Sequence, residues 1–187
     1  MTHRKLALPL VAAAALVGLS ACSSSNAGTP TPSSSTPPSA SASSPTSSSD
    51  PLTSVDPCSL ITSAEESNSQ LQPGTTDPNA PGGRACRWER PDDGATIDGY
   101  VLEVVIYDTT GISQFNSAGG TLTDYSVGKY QGKLFQEPVA DACRVTLPTS
   151  NTSRIDIQVI SRLGLTQSCK LVQQVAPAVV SHFPAGS

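Results

Sequence analysis

Few residues in this chain could carry chemistry. It has five cysteines (Cys22, Cys58, Cys86, Cys143 and Cys169), two histidines (His3 and His182) and two adjacent acid pairs, Glu65/Glu66 and Asp92/Asp93. A glycosidase-type acid pair must flank one bond with its carboxyl groups about 5 to 9.5 Å apart. Neighbours on a helix or in a tight turn do not face each other, so both acid pairs read as solvated charges. His182 could act as a base only beside a nucleophile and an orienting acid, and the sequence has no Gly-x-Ser-x-Gly and no phosphate-cradling glycine loop. Without a Cys-x-x-Cys, a single nearby histidine cannot complete a Cys/His zinc set. No catalytic residue, metal or cofactor is therefore expected. Asn151-Thr152-Ser153 fits a glycosylation sequon but reads here as a turn.

The charge balance removes another class. Eleven Lys and Arg stand against fifteen Asp and Glu, a formal charge of −4, and charged residues make up only 14% of the chain. Nucleic-acid binding needs a dense basic surface that this composition does not supply.

Cys22 is best read with the residues before it. Arg4 and Lys5 precede an uncharged stretch from Leu6 to Leu19, fourteen residues interrupted by Pro9 and Gly18. A spanning helix needs about 20 apolar residues, so this stretch reads as the core of an export signal. Leu19-Ser20-Ala21-Cys22 resembles a bacterial lipobox. That resemblance implies a diacylglyceryl thioether on Cys22, removal of residues 1–21, and attachment to the outer face of the cytoplasmic membrane. Two acyl chains suffice for stable attachment. The shortened chain would carry nine basic and fifteen acidic residues, or −6, so lipid rather than charge would hold it to an anionic membrane. From Ser23 to Leu52, every residue but Asn26, Asp50 and Leu52 is Ser, Thr, Pro, Ala or Gly. Such a stretch has no apolar face to offset the ~1 to 2 kcal/mol per residue of ordering entropy, so residues 22–52 are expected to form a disordered tether and residues 53–187 a single domain.

With Cys22 assigned to lipid, four cysteines remain in an exported domain and imply two disulfides among three connectivities. Pairing Cys58 with Cys86 and Cys143 with Cys169 closes two loops of under thirty residues, and this is the pairing expected.

These sulfurs must be positioned by the elements around them. Asp56-Pro57 is a helix start, and Thr62-Ser63-Ala64-Glu65 is a capping box leading into a second short helix through about Ser69. Gln72 to Gly83 reads as a turn-rich loop. Ala85 to Glu89 reads as a strand with Cys86 and Trp88 on one side, and Trp88 as a core anchor beside a disulfide. Tyr100 to Tyr107 reads as a strand burying Tyr100, Leu102, Val104 and Ile106. Gly111 to Ala118 reads as a short helix. Thr123–Val127 and Lys133–Glu137 form a hairpin with Tyr130 near its tip. Cys143–Leu147 and Arg154–Ile160 form another pair, with Ile155, Ile157 and Val159 buried and Arg154, Asp156 and Gln158 on a wet face. A last helix, capped by Thr166 or Ser168, lays Leu171, Val175, Val179 and His182 or Phe183 on the sheet, kinks at Pro177 and ends at Pro184. The fold class is α+β, a mainly antiparallel sheet with N- and C-terminal helices covering one face.

Asp56-Pro57-Cys58-Ser59-Leu60-Ile61, Cys86-Arg87-Trp88, Ala142-Cys143-Arg144-Val145 and Ser168-Cys169 together resemble the actinobacterial lipoproteins grouped as domain-of-unknown-function family 3558. The resemblance implies an exported, lipid-anchored envelope protein with a fold similar to Mog1/PsbP-like sandwiches, and it implies no reaction. Two non-catalytic functions follow. One is a tethered module that docks an envelope protein through Tyr100, Tyr107, Tyr130 and Phe135. The other is a small-molecule or lipid carrier with a pocket of about 300 Å³ between helix and sheet.

Overall fold

A computed structural model describes residues 52–94 and 98–184. The export signal, Cys22 and nearly all of the Ser/Thr/Pro-rich stretch lie outside the described residues. Its last residue, Leu52, is fully buried in the core. The described residues belong to one unit, Pro45–Ser187, and no helix among them is long and apolar enough to cross a membrane.

Seven strands form one antiparallel sheet: β1 (Thr75–Asp77), β2 (Arg84–Arg90), β3 (Tyr100–Tyr107), β4 (Thr121–Val127), β5 (Tyr130–Glu137), β6 (Ala142–Pro148) and β7 (Arg154–Ser161). Their spatial order is β1-β2-β3-β7-β6-β5-β4. Strand β1 was not expected, because Thr75-Thr76-Asp77 is too short and too exposed to show an apolar alternation, yet it pairs Thr76 with Cys86. β4 and β5 are joined by Gly128-Lys129, with Gly128 at φ 57°, the left-handed region a two-residue turn demands.

The inner face is a band of buried apolar side chains. Cys86 pairs with Val104, Val104 with Ile157, Ile157 with Val145, and Val145 with Leu134. A short 3-10 helix (Pro57–Leu60) and α2 (Leu165–Ser181) lie over this band, and α1 (Ser63–Asn68), which buries no residue of its own, is tied to Trp88 through Glu66. Asp56 accepts the Cys58 N–H at 2.9 Å, and Thr62 and Glu65 form the expected capping box. The two disulfides are Cys58–Cys86 and Cys143–Cys169, each tying a helical turn to a central part of the sheet. Arg84 fixes the start of the domain: it grips Asp108 through two hydrogen bonds of 2.8 Å and donates to the carbonyls of Leu52 and Val55.

Two expectations about the helices need correction. Gly111–Ala118 contains only a 3-10 turn, Ile112–Gln114, because the segment is drawn across the outer face of the sheet by Arg154. The N-cap of α2 is Gly164, two residues before Thr166 and four before Ser168, and neither candidate caps it. Ser168 instead is fully buried, accepts the Ser161 N–H at 2.8 Å and donates to the Asp141 carbonyl at 2.6 Å, pinning the helix to the sheet beside the second disulfide. The buried stripe is Ser168, Val172, Ala176 and Val179, and it continues through Pro177.

The outer face is not wet at its centre. Arg154 and Asp156 are buried. Asp156 Oδ1 accepts from Thr146 Oγ1 at 2.6 Å and from Arg154 Nε at 3.1 Å, while Oδ2 lies 3.6 Å from Arg144 and has no hydrogen bond. Arg154 also lies 4.0 Å from the Tyr107 ring centroid and donates to the Thr110 and Gly111 carbonyls at 3.2 Å. Phe115, edge-on to Phe135 at 5.3 Å, covers the cluster. A charged pair under a loop replaces the solvated face that alternation suggested. Such a pair is tolerated because its members offset each other's desolvation.

Candidate functional site

A cleft of about 300 Å³ opens between α1, α2 and the inner end of β2–β3. Its floor is Tyr100 and Leu102, its walls include Ile61, Leu71, Leu171 and Val175, and its polar groups include Glu65, Asn68, Gln70, Arg90 and Gln174. The rotation of α2 creates it. Because Val172 and Ala176 face the sheet, Leu171 and Val175 are only half-buried and turn into the cleft instead of lying on the strands.

α1 forms the opposite wall, and its two acids hold it there. The pair Glu65/Glu66 is half-buried and hydrogen-bonded rather than free on the surface. Glu65 Oε2 accepts the Thr62 N–H at 2.8 Å and its hydroxyl at 2.7 Å, and both oxygens lie 3.0 Å from His182 Nε2 at the end of α2. Burial pushes this carboxyl up, but the Thr62 and His182 contacts outweigh it and hold it below its ordinary 4.5. His182 is thus a tie between the two helices. Glu66 Oε1 accepts from Trp88 Nε1 at 2.9 Å and from the Gly74 N–H at 3.0 Å, so the helix is also latched to the buried tryptophan. Trp88 is fully buried beside the Cys58–Cys86 disulfide, as the sequence implies.

The rim of the cleft holds a strained residue. Gln70 sits at φ 56° where α1 ends, with the Leu71 N–H reaching back to the Glu66 carbonyl at 2.8 Å. Glycine usually fills this position, and a side chain there costs about 1 kcal/mol. Strained positions of this kind gather at functional sites.

Arg90 is the one cationic residue of the lining. It pairs in register with Tyr100 and holds its guanidinium 5.5 Å from that ring's centroid. Its Nε is buried without a hydrogen-bond partner. Burial pushes the Tyr100 hydroxyl above its ordinary 10.0, with Arg90 opposing. On the other side of Arg90 and Tyr100 lies a second hollow of about 300 Å³, lined also by Asp92, Val101, Asp141, Ile160 and Arg162. Asp92, of the other acid pair, is 3.7 Å from Arg162.

The four aromatic residues expected as surface contacts are not on an open surface. Tyr100 and Phe135 are buried. Tyr107 is half-buried under Arg154, and Tyr130 is half-buried and edge-on to Phe183 at 5.4 Å. Tyr100 lies on the inner face that alternation already buries, whereas for Tyr107 and Phe135 a loop carrying Phe115 covers the face that alternation assigns to solvent. The sequence reading missed Arg90, Gln70 and Gln174. Their signal was weak, since Arg90 ends β2, Gln70 follows α1 and Gln174 lies mid-α2, each an ordinary polar residue in its place.

No curated protein and no solved structure matches the chain. A family model described as protein of unknown function (DUF3558) matches residues 17–182, the stretch that carries the cleft, both disulfides and the buried tryptophan. The chain belongs to that family.

Proposed function

We propose that this chain is a non-catalytic binding protein, anchored by a diacylglyceryl group on Cys22 to the outer face of the cytoplasmic membrane, which holds a small ligand in the cleft between α1, α2 and the sheet. The observation that carries this reading is the cleft itself. It has a volume of about 300 Å³ and a lining of mixed character, with apolar walls from Ile61, Leu71, Leu171 and Val175 facing several polar groups, at the lower end of the range for small-molecule sites. Its side chains are braced by the Glu65–His182 and Glu66–Trp88 ties, so the site is pre-formed. The family match begins at residue 17 and so includes Cys22, which supports the anchored reading. The test is a fragment screen on the full chain followed by amide NMR shifts. Ligands should move Gln70, Leu71, Val175 and Ala178 and lose their effect on Ala178→Trp, which fills the cleft. Hits that map elsewhere, or survive that substitution, reject the reading.

One observation favours the alternative, docking of an envelope protein. Val139 is 95% exposed, Leu163 57% and Ile160 39%, and all three lie at the end of the β6–β7 pair where Ala142 meets Ile160. Crosslinking in intact cells from this end should then capture a discrete protein, and Val139→Glu should abolish the capture.

A further inference from the structure

We infer that the cleft is built for an anionic amphiphile, with a carboxylate- or phosphate-type head at Arg90 and an alkyl chain along Ile61, Leu71, Leu171 and Val175. This inference rests on the cleft being a ligand site and specifies what enters it. The head position follows from charge. Of the two ionisable groups of opposite sign on the lining, Glu65 is engaged by Thr62 and His182, whereas Arg90 has no ion pair among the described residues. A guanidinium on the lining without a carboxylate partner offers an anionic head a charge-assisted bond. Stacking on Tyr100 fixes the guanidinium at the neck between the two hollows. Beyond that neck stand Glu89, Asp92 and Asp141, with only Arg162 to offset them. An anion is therefore stopped at Arg90 instead of passing through, and the apolar walls lie on the other side, where a chain would trail. The modest volume, about 300 Å³, suits one short chain rather than a two-chain lipid.

The experiment is calorimetric titration of the full chain with decanoate, with decanol as the same chain uncharged, and with inorganic phosphate as a head alone. Decanoate should bind at least about tenfold more tightly than decanol, the effect of one charge-assisted hydrogen bond, and phosphate should bind more weakly than either. Arg90→Gln should remove that tenfold advantage and leave decanol unchanged. If this variant does not fold, the decanoate-to-decanol ratio on the unsubstituted chain decides alone. Equal affinity for decanoate and decanol overturns the charge assignment while leaving a cleft that binds. Phosphate binding as tightly as decanoate overturns the amphiphile. Failure of both ten-carbon probes to bind, or binding that persists in Ala178→Trp, removes the cleft as a ligand site and this inference with it.

Discussion

Glu66→Ala should unlatch α1 from the sheet, and the size of the loss can be worked from two contacts. One carboxylate oxygen accepts both the Trp88 indole N–H at 2.9 Å and the Gly74 N–H at 3.0 Å. Hydrogen bonds to a charged group contribute about 1.5 to 3 kcal/mol each, and leaving the donors unmade adds their desolvation cost. Glu66 is half-buried rather than enclosed, so the low end applies, giving about 2 to 4 kcal/mol for the pair. Trp88 is the only tryptophan, which makes its fluorescence a local reporter during urea unfolding. With a urea slope near 2 kcal/mol per M, the midpoint should fall by about 1 to 2 M. Glu66→Gln keeps an acceptor oxygen and should recover at least half of that. Gly74→Ala should be equally harmful by another route, because its Cβ would stand 2.4 Å from Trp88 Nε1. An unchanged midpoint in Glu66→Ala, or a Gln variant as weak as the Ala variant, would refute the latch.

Three further outcomes are expected. Replacing Cys143 and Cys169 by Ala opens a loop closed across 26 residues and should cost about 3.5 kcal/mol in chain entropy, read from urea unfolding with the other disulfide intact; a loss under about 1 kcal/mol would contradict this. Asp156→Ala leaves Arg154 buried without its partner and should cost about 3 to 5 kcal/mol, a fall of roughly 10 to 20 °C in the thermal midpoint; a fall of under about 5 °C would mean the outer cluster carries little. In Glu103, burial first and Asp77 second push the carboxyl above its ordinary 4.5, against Arg144 and Arg87. The folded state therefore disfavours the carboxylate, so stability that is full below pH 4.5 is lost as pH rises through the raised value. Glu103→Gln should unfold later than the unsubstituted chain at pH 7 and show no advantage near pH 4; an advantage independent of pH would reverse the assignment.

What could be read from the chain, and what could not, divides along physical lines. Local signals are self-contained. Asp56-Pro57, the Thr62/Glu65 capping box and the apolar alternation of Tyr100–Tyr107 need only neighbouring residues, and each forms where expected. The disulfide pairing also follows, since short loops close at the lowest entropic cost and both short loops are closed. The errors come from tertiary contacts. Arg154 and Asp156 alternate like exposed residues, and only the loop from Thr110 to Phe115, far away in sequence, buries them. On α2 the expected stripe holds at Val179 but is one residue off at Leu171 and Val175, because these are at least as apolar as Val172 and Ala176 and the sequence does not say which pair meets the sheet. That one-residue shift leaves room for the cleft. Arg90 and Gln70 were invisible for the same reason, since their significance lies in what the neighbouring elements leave unfilled around them.

The central proposal is that the cleft between the helices and the sheet holds a ligand and that Cys22 anchors the domain. Native mass spectrometry of the protein extracted from its own membrane tests it most directly, with Ala178→Trp prepared alongside. The account predicts a chain starting at an acylated Cys22 and carrying a non-covalent small-molecule adduct, with the adduct missing from the cleft-filling variant. A bare chain, or an adduct retained equally by the variant, would contradict it.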